Sequence, residues 1–223
     1  MTMLHIIELT EDGSHTLYIP ELNEHYHSTH GAVQESLHVY LEAGLHHYDK
    51  QEVNLLEIGF GTGLNAFLTL LDTERSGKTV KYTTLERYPV SLAHAEKLNY
   101  SKLLDPSRKE IFIQLHSSAW GDWVDITPTF GLKKLQTDAL RLEEFQPEAL
   151  FDLIYYDAFA PEKQPGMWTE EIFNRLYALS NYGAMLTTYC AKGAVRRMLQ
   201  TAGYRVERLP GPPGKREILR AVK

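Results

Sequence analysis

The stretch Leu55-Leu56-Glu57-Ile58-Gly59-Phe60-Gly61-Thr62-Gly63-Leu64-Asn65 decides the fold. An apolar run of strand length meets three alternating glycines, and helical spacing begins at once over Leu64–Leu71. Glycines adopt backbone dihedrals that other residues resist, and they let a ligand approach the main chain closely. The spacing is G-x-G-x-G, not the G-x-G-x-x-G of dinucleotide-binding loops, and no Gly-Lys-Ser/Thr follows to cradle a phosphate. Glu57, directly before the glycines, suits a ligand carrying an ammonium group better than one carrying a pyrophosphate. The competing reading is a tight strand-to-helix turn that holds nothing.

Outward from this loop, short apolar runs alternate with helical periodicities. Strands are expected at Asn54–Ile58, Val80–Leu85, Ile111–Leu115, Leu132–Gln136, Leu150–Tyr156, Gly183–Tyr189, Arg205–Leu209 and Glu217–Val222. Helices are expected at Leu64–Leu71, Ser91–Lys97, Thr169–Ser180 and Lys192–Ala202. Strands separated by helices imply right-handed crossovers and a mostly parallel sheet covered on both faces. The turn Pro210-Gly211-Pro212-Pro213-Gly214 is too short for a helical crossover, so the last two strands should close an edge as an antiparallel hairpin. The expected fold is therefore α/β: a Rossmann-like, mostly parallel sheet of seven strands ending in such a hairpin, the layout of class I methyltransferases. Residues 51–223 would form this domain. Residues 1–50 would form a small extension, with a hairpin around Asp12-Gly13-Ser14 and an amphipathic helix from Ala32 to His47. The segment Ile111–Gly131 lacks clean periodicity after its first run and reads as a surface-packed insertion.

In such a sheet the spacing of the glycines favours S-adenosylmethionine as the cofactor. Glu86, which ends the second strand, stands where doubly wound folds place a carboxylate against ribose hydroxyls. Asp138, with Ala139 beside it, is placed to meet an adenine amino group; a helix N-cap explains Asp138 equally well. A second informative run, Phe151-Asp152-Leu153-Ile154-Tyr155-Tyr156-Asp157-Ala158-Phe159-Ala160-Pro161, delivers Asp157 to the C-terminal end of a buried strand, where open α/β sheets bind ligands. Amine methylation needs an acceptor for the amine hydrogens and gains from an aromatic face near a cationic sulfur. Asp157 and Phe159 are of the right types at the right spacing. A capping Asp157 and a core Phe159 are the alternative.

The chain has 223 residues and a formal charge of −6, with 43% hydrophobic residues, as a folded domain requires. No apolar run approaches the roughly 20 residues of a membrane span, and no secretory leader is evident. The single cysteine, Cys190, excludes an internal disulfide and cysteine-held zinc or iron–sulfur sites, and suggests a reducing, cytoplasmic setting. It ends an apolar strand and should be buried. Charge is uneven: from Lys192 onward there are nine Lys/Arg and two Glu, whereas the first 191 residues carry 14 basic and 27 acidic residues. A basic tail of net +7 on an acidic body can grip a polyanion locally. His25, His27 and His30 invite a metal, but no carboxylate partner supports a site, so none is expected.

Together, Gly59–Asn65, Glu86, Asp157–Pro161, Met167-Trp168 and Lys215-Arg216-Glu217 resemble the methyltransferase half of the MnmC family. The segment from Glu21 to Ser28, with Gly31 to Ser36, looks still more like the stand-alone form called MnmD. Several implications follow from the resemblance. The substrate would be the 5-aminomethyl group of (2-thio)uridine at the tRNA wobble position, methylated by direct in-line transfer. Asp157 and Phe159 would be catalytic, Pro161 and Trp168 would border the substrate, and Lys215 and Arg216 would meet tRNA phosphates. Phe60, Gly63 and Asn65 would join the cofactor site, with Tyr26, Ser28 and Gln34 near its methionine end. Ala158 departs from the family, which often has Gly there. The length leaves no room for the flavin oxidase half, so a separate enzyme would supply the amine. A small-molecule amine methyltransferase, an aminopropyltransferase or a non-catalytic S-adenosylmethionine-binding module would share the loop. The basic tail favours RNA, and Asp157 favours catalysis.

Overall fold

The computed structural model describes residues 4–223. Asp12-Gly13-Ser14 turns the chain as its composition requires. β1 (Ile6–Leu9) pairs antiparallel with β2 (His15–Ile19), and β3 (Glu24–His25) adds to β2. Asp12 Oδ1 accepts from the Ser14 N–H at 2.9 Å, and Oδ2 accepts from the Gln34 N–H at 3.0 Å, so one carboxylate ties the hairpin to the next helix. That helix is not the single run expected. α1 (Ala32–Ser36) continues as a π-helix, Leu37–Glu42, and a separate 3-10 turn spans Leu45–His47. The break falls at Gly44, where a Cβ would lie 2.5 Å from the Tyr40 carbonyl oxygen.

The central sheet contains β4 (Glu52–Ile58), β5 (Thr79–Glu86), β6 (Trp123–Thr127), β7 (Phe130–Gln136), β8 (Phe151–Tyr156), β9 (Ser180–Thr188), β10 (Arg205–Pro210) and β11 (Glu217–Val222). Their spatial order is β10-β11-β9-β8-β4-β5-β7-β6. The inner pairs, β9–β8, β8–β4, β4–β5 and β5–β7, are parallel. The C-terminal hairpin β10–β11 closes one edge antiparallel, as the short Pro-Gly turn demands.

The sheet has eight strands instead of seven, and two details of the sequence reading change. Ile111–Leu115 is not a strand: after the short helices α3 (Leu92–Ala95) and α4 (Tyr100–Leu104), it lies in the helix α5 (Lys109–Ser117), whose buried residues Phe112 and Leu115 are three apart. Four apolar residues among five fit either period, and packing decides. Phe112 sits against Phe67 and Tyr100, with ring centroids 5.2 and 5.8 Å apart. The eighth strand is β6, inside the supposed insertion; it pairs antiparallel with β7 and closes the far edge.

Side chains of the central strands alternate between two cores, as the pleat requires. Leu55, Leu153 and Tyr155 face α2 (Leu64–Ser76) and α5, with Phe67, Tyr82 and Phe130. Leu56, Ile154 and Tyr156 face α6 (Glu170–Ala178) and α7 (Gly193–Thr201), with Phe173, Leu176 and Leu199. Each such side chain contributes about 1.5–3 kcal/mol by leaving water. Burial on both faces explains why the inner residues of both strands, Leu55, Leu56 and Ile58 in β4 and Leu153–Tyr156 in β8, are apolar or aromatic. It also fixes their register. Ile58 lies opposite Tyr156, so the glycine loop and Asp157 leave the sheet side by side. Among the described residues, no helix is long and apolar enough to cross a membrane.

Candidate active site

Gly59, Gly61 and Gly63 all have positive φ (93°, 50° and 72°), which accounts for the alternation. The turn is anchored from three sides. Gly59 N–H donates to the Leu85 carbonyl at 2.9 Å, and Asp157 N–H donates to the Ile58 carbonyl at 3.2 Å. Gly61 N–H donates to Glu86 Oε2, also at 2.9 Å. Glu86 Oε1 accepts from the Tyr88 N–H at 2.7 Å. Burial raises the Glu86 pKa, while these N–H donors oppose the rise. A carboxylate has about four lone-pair sites, so Glu86 keeps acceptor capacity toward the cavity.

Above the loop lies a cavity of about 320 Å³, with Ile58, Leu85, Ala139, Leu140 and Met167 on its apolar wall and Phe60, Gly61, Asn65, Glu86 and Asp138 around them. A second cavity, also about 320 Å³, is lined by Glu24, Ser28, Glu35, Tyr189 and Lys215. Tyr26, His27, Asp157, Ala158 and Phe159 border both cavities. Tyr26 and Phe159 stand edge to face between them, centroids 5.2 Å apart. Asp157 therefore faces two chambers. Its Oδ2 accepts from Asn65 Nδ2 at 2.8 Å, and burial raises its pKa to about 7.

The loop carrying Asp157 is held by its neighbours. Phe159 N–H donates to Gln164 Oε1 at 3.1 Å, and Trp168 Nε1–H donates to the Phe159 carbonyl at 2.8 Å. Trp168 is buried against Tyr156 and Phe173 and lines neither cavity, so it supports Phe159 and offers no face to substrate. Pro161 also lies off both walls, in the turn where the Lys163 N–H donates to the Ala160 carbonyl. Neither residue therefore lines the cavities, although both were expected to border the substrate.

Four residues expected at the cofactor, Glu57, Gly63, Ser28 and Gln34, do not line the first cavity. Glu57 is fully buried beneath the loop rather than on the cavity wall. Burial and the nearby Asp157 charge push its pKa well above the usual range, while the Thr84, Tyr82 and Asn65 side chains beside it oppose the rise. Ser28 lines only the second cavity, where its N–H donates to Glu35 Oε2 at 2.8 Å. Gln34 is exposed and lines neither cavity, because α1 turns Ala32, Glu35 and Ser36 inward. Asp138 combines both of its readings: it borders the first cavity and also caps a 3-10 turn, accepting from the Leu140 N–H at 3.0 Å. Its other oxygen pairs with Arg87 at 2.6 Å. Lys215 Nζ lies 2.5 Å from Glu35 Oε1, whereas Arg216 is exposed.

Sequence reasoning missed the backing of the loop. His27 Nε2 lies 2.6 Å from Thr62 Oγ1, and His116 Nε2–H donates to the Thr62 carbonyl at 3.1 Å. Burial lowers both histidines to about 4, so they are neutral. Lys134 is fully buried and donates to the carbonyls of Leu115 and His116 at 2.8 and 2.6 Å, its ammonium 4.8 Å from the Trp120 ring centroid. The alternation Phe130, Leu132, Lys134 was the available signal. His25 and His30 turn to Glu8 and Glu11, so the three histidines point apart. No metal-holding group of three His, Cys, Asp or Glu occurs among the described residues.

A family described as S-adenosyl-L-methionine-dependent methyltransferase matches residues 124–223. The tRNA 5-methylaminomethyl-2-thiouridine biosynthesis bifunctional protein MnmC of Ralstonia nicotianae is 30% identical over 95% of this chain and 33% of its own length. The Magnetococcus marinus protein of the same name is 31% identical over 96% of this chain and 33% of its own. The chain is MnmC methyltransferase-domain-like. It spans about a third of the length of these MnmC relatives. The crystal structure of MnmC2 from Aquifex aeolicus superposes with a TM-score of 0.75 at 24% identity, covering 98% of this chain and 70% of that one. Spermidine synthase from Thermotoga maritima shares the fold at a TM-score of 0.55 and 15% identity, over 98% of this chain and 72% of that one.

The family that matches depends on S-adenosylmethionine, and the first cavity fits that cofactor. Glu86 retains lone pairs for hydroxyl donors, the apolar wall suits a flat base, and the rings of Tyr26 and Phe159 suit a sulfonium.

Proposed function

We propose that the chain methylates the primary amine of 5-aminomethyl-(2-thio)uridine at the tRNA wobble position. The observation that carries this reading is Asp157, a carboxylate on the wall of both cavities. In this reading the first cavity takes the cofactor and the second takes the aminomethyl group. Glu86 receives the ribose hydroxyls, and Asp138 and Ala139 border the adenine. When bound, S-adenosylmethionine supplies an electrophilic methyl group.

Asp157 accepts hydrogen bonds from the amine and aims its lone pair toward the first cavity. With a pKa raised to about 7, it is also matched to take up the proton that the amine sheds at neutral pH. Phe159 and Tyr26 narrow the passage between cavities, so only a slim group reaches through. Arg216 meets phosphate, supported by its exposure on the basic hairpin. An enzyme acting earlier installs the aminomethyl group.

The test is incubation of the protein with S-adenosylmethionine and tRNA carrying 5-aminomethyluridine, followed by nucleoside mass spectrometry. Gain of one methyl group on that nucleoside alone is expected. Methylation of free amines with no tRNA product, or aminopropyl transfer from decarboxylated S-adenosylmethionine, would overturn the reading.

A further inference from the structure

The second cavity holds an ion pair that the proposed reaction leaves unused. Glu35, on α1, is buried; its Oε2 accepts from the Ser28 N–H, and its Oε1 lies 2.5 Å from Lys215 Nζ. Lys215 comes from the turn between β10 and β11, so the pair joins the N-terminal helix to the C-terminal hairpin. The same ammonium sits 5.1 Å from the ring centroid of Tyr189, and Tyr189 Oη donates to the carbonyl of Ala158, next to Asp157. A primary alkylammonium is thus held by a carboxylate and an aromatic face, in a chamber that also exposes Asp157. These are the groups that recognise a primary amine.

We propose that the Lys215 ammonium is a resident stand-in for the acceptor amine. The incoming amine, as its ammonium, displaces Lys215 from Glu35 and Tyr189, and the lysine swings outward to a phosphate of the same RNA. The inference rests on the reading that the second cavity receives an aminomethyl group. Exchange of one ammonium for another keeps the buried Glu35 charge paired throughout, whereas a neutral or anionic group would leave it uncompensated. Glu35 is therefore a specificity-determining residue, which captures the ammonium; on passing to Asp157 it gives up one proton and is held there as the neutral amine for reaction. Motion is confined to the lysine stem. Its side chain is 28% exposed against 9% for Glu35, and the tight Gly211–Gly214 turn fixes the backbone, since a Cβ on Gly211 would lie 2.3 Å from the Lys215 carbonyl oxygen.

The test uses n-propylammonium chloride as probe, with calorimetry and thermal melting and potassium chloride as control. Lys215→Ala should bind propylammonium at least tenfold more tightly than wild type, and adding Glu35→Gln should abolish the gain. Equal affinity in wild type and Lys215→Ala, or a gain that survives Glu35→Gln, overturns the proposal. Should Lys215→Ala not fold alone, its recovery by propylammonium and not by potassium chloride supports the stand-in. Failure of that recovery counts against it. In the single Glu35→Gln variant, KM for aminomethyl-tRNA should rise at least tenfold while kcat falls less; an unchanged KM overturns the capture role. The propylammonium arm needs neither tRNA nor methyl transfer. A wild-type protein that ignores tRNA would therefore defeat the proposed reaction and leave this result standing.

Discussion

Asn65 Nδ2 donates to Asp157 Oδ2 across 2.8 Å, joining the first turn of α2 to the end of β8. With the Tyr40 hydroxyl also beside the carboxylate, the bond prevents it from rotating freely. Asn65 lies in the first turn after the glycines, so the loop that shapes the first cavity also aims the carboxylate shared with the second.

Asp157→Ala should slow single-turnover methylation of aminomethyl-tRNA by about a hundredfold, the equivalent of roughly 3 kcal/mol for a charge-assisted hydrogen bond. Cofactor affinity should change far less, and Asp157→Asn should retain part of the rate. An alanine variant within a few-fold of wild type would reduce Asp157 to a structural cap.

The pH dependence has a definite sign. Burial raises Asp157 from 3.8 to about 7, so the folded state favours its protonated form. That contribution to stability is fully present below pH 3.8 and is lost as pH rises through 7. Asp157→Asn should therefore melt higher than wild type at pH 8, by roughly 2–4 °C for each kcal/mol gained, and alike at pH 4. Wild-type single-turnover rates should rise through pH 7 as the carboxylate ionises. Melting curves at the two pH values and a rate profile check both halves.

Glu57 is fully buried, and its raised pKa has the same sign. Glu57→Gln, which mimics the neutral acid, should leave cofactor affinity within a few-fold of wild type and increase stability as pH rises. A large loss of S-adenosylmethionine affinity would return Glu57 to the cofactor site.

A methyl group on Gly61 would lie 2.9 Å from Tyr26 Cδ1, at a φ that side chains avoid. Gly61→Ala should weaken S-adenosylmethionine binding at least tenfold with the circular dichroism spectrum unchanged. Adding Tyr26→Ala should recover part of that loss. No recovery would mean that the backbone strain dominates over the contact.

Trp168→Phe removes the donor to the Phe159 carbonyl. An unmet buried carbonyl costs about 1–3 kcal/mol, so both Tm and kcat should fall, with cofactor affinity spared. Calorimetry alongside single-turnover rates separates the two effects.

The inner sheet and the glycine loop were legible because burial on both faces forces continuous apolar strands, and positive φ forces glycine. Asp157 was legible because it follows such a strand directly. What the sequence concealed depended on partners far along the chain. Nothing local tells that Glu57 faces inward under the loop, that Trp168 bonds Phe159, or that Lys215 finds Glu35. Ile111–Leu115 was misread because a five-residue segment carries too little periodicity, and only the packing of Phe112 on Phe67 and Tyr100 makes it helical.

The parallel pairing of β4 with β8 has a kinetic consequence. Asn65 and Asp157 are 92 positions apart in the chain, and no local hairpin brings them together. Non-local parallel pairings are slow to form, because the chain entropy between them is lost before the contacts are gained. The two-chambered site is therefore assembled in the same cooperative event as the central sheet, so during refolding methyl-transfer competence should return with the last, slowest phase and never ahead of it.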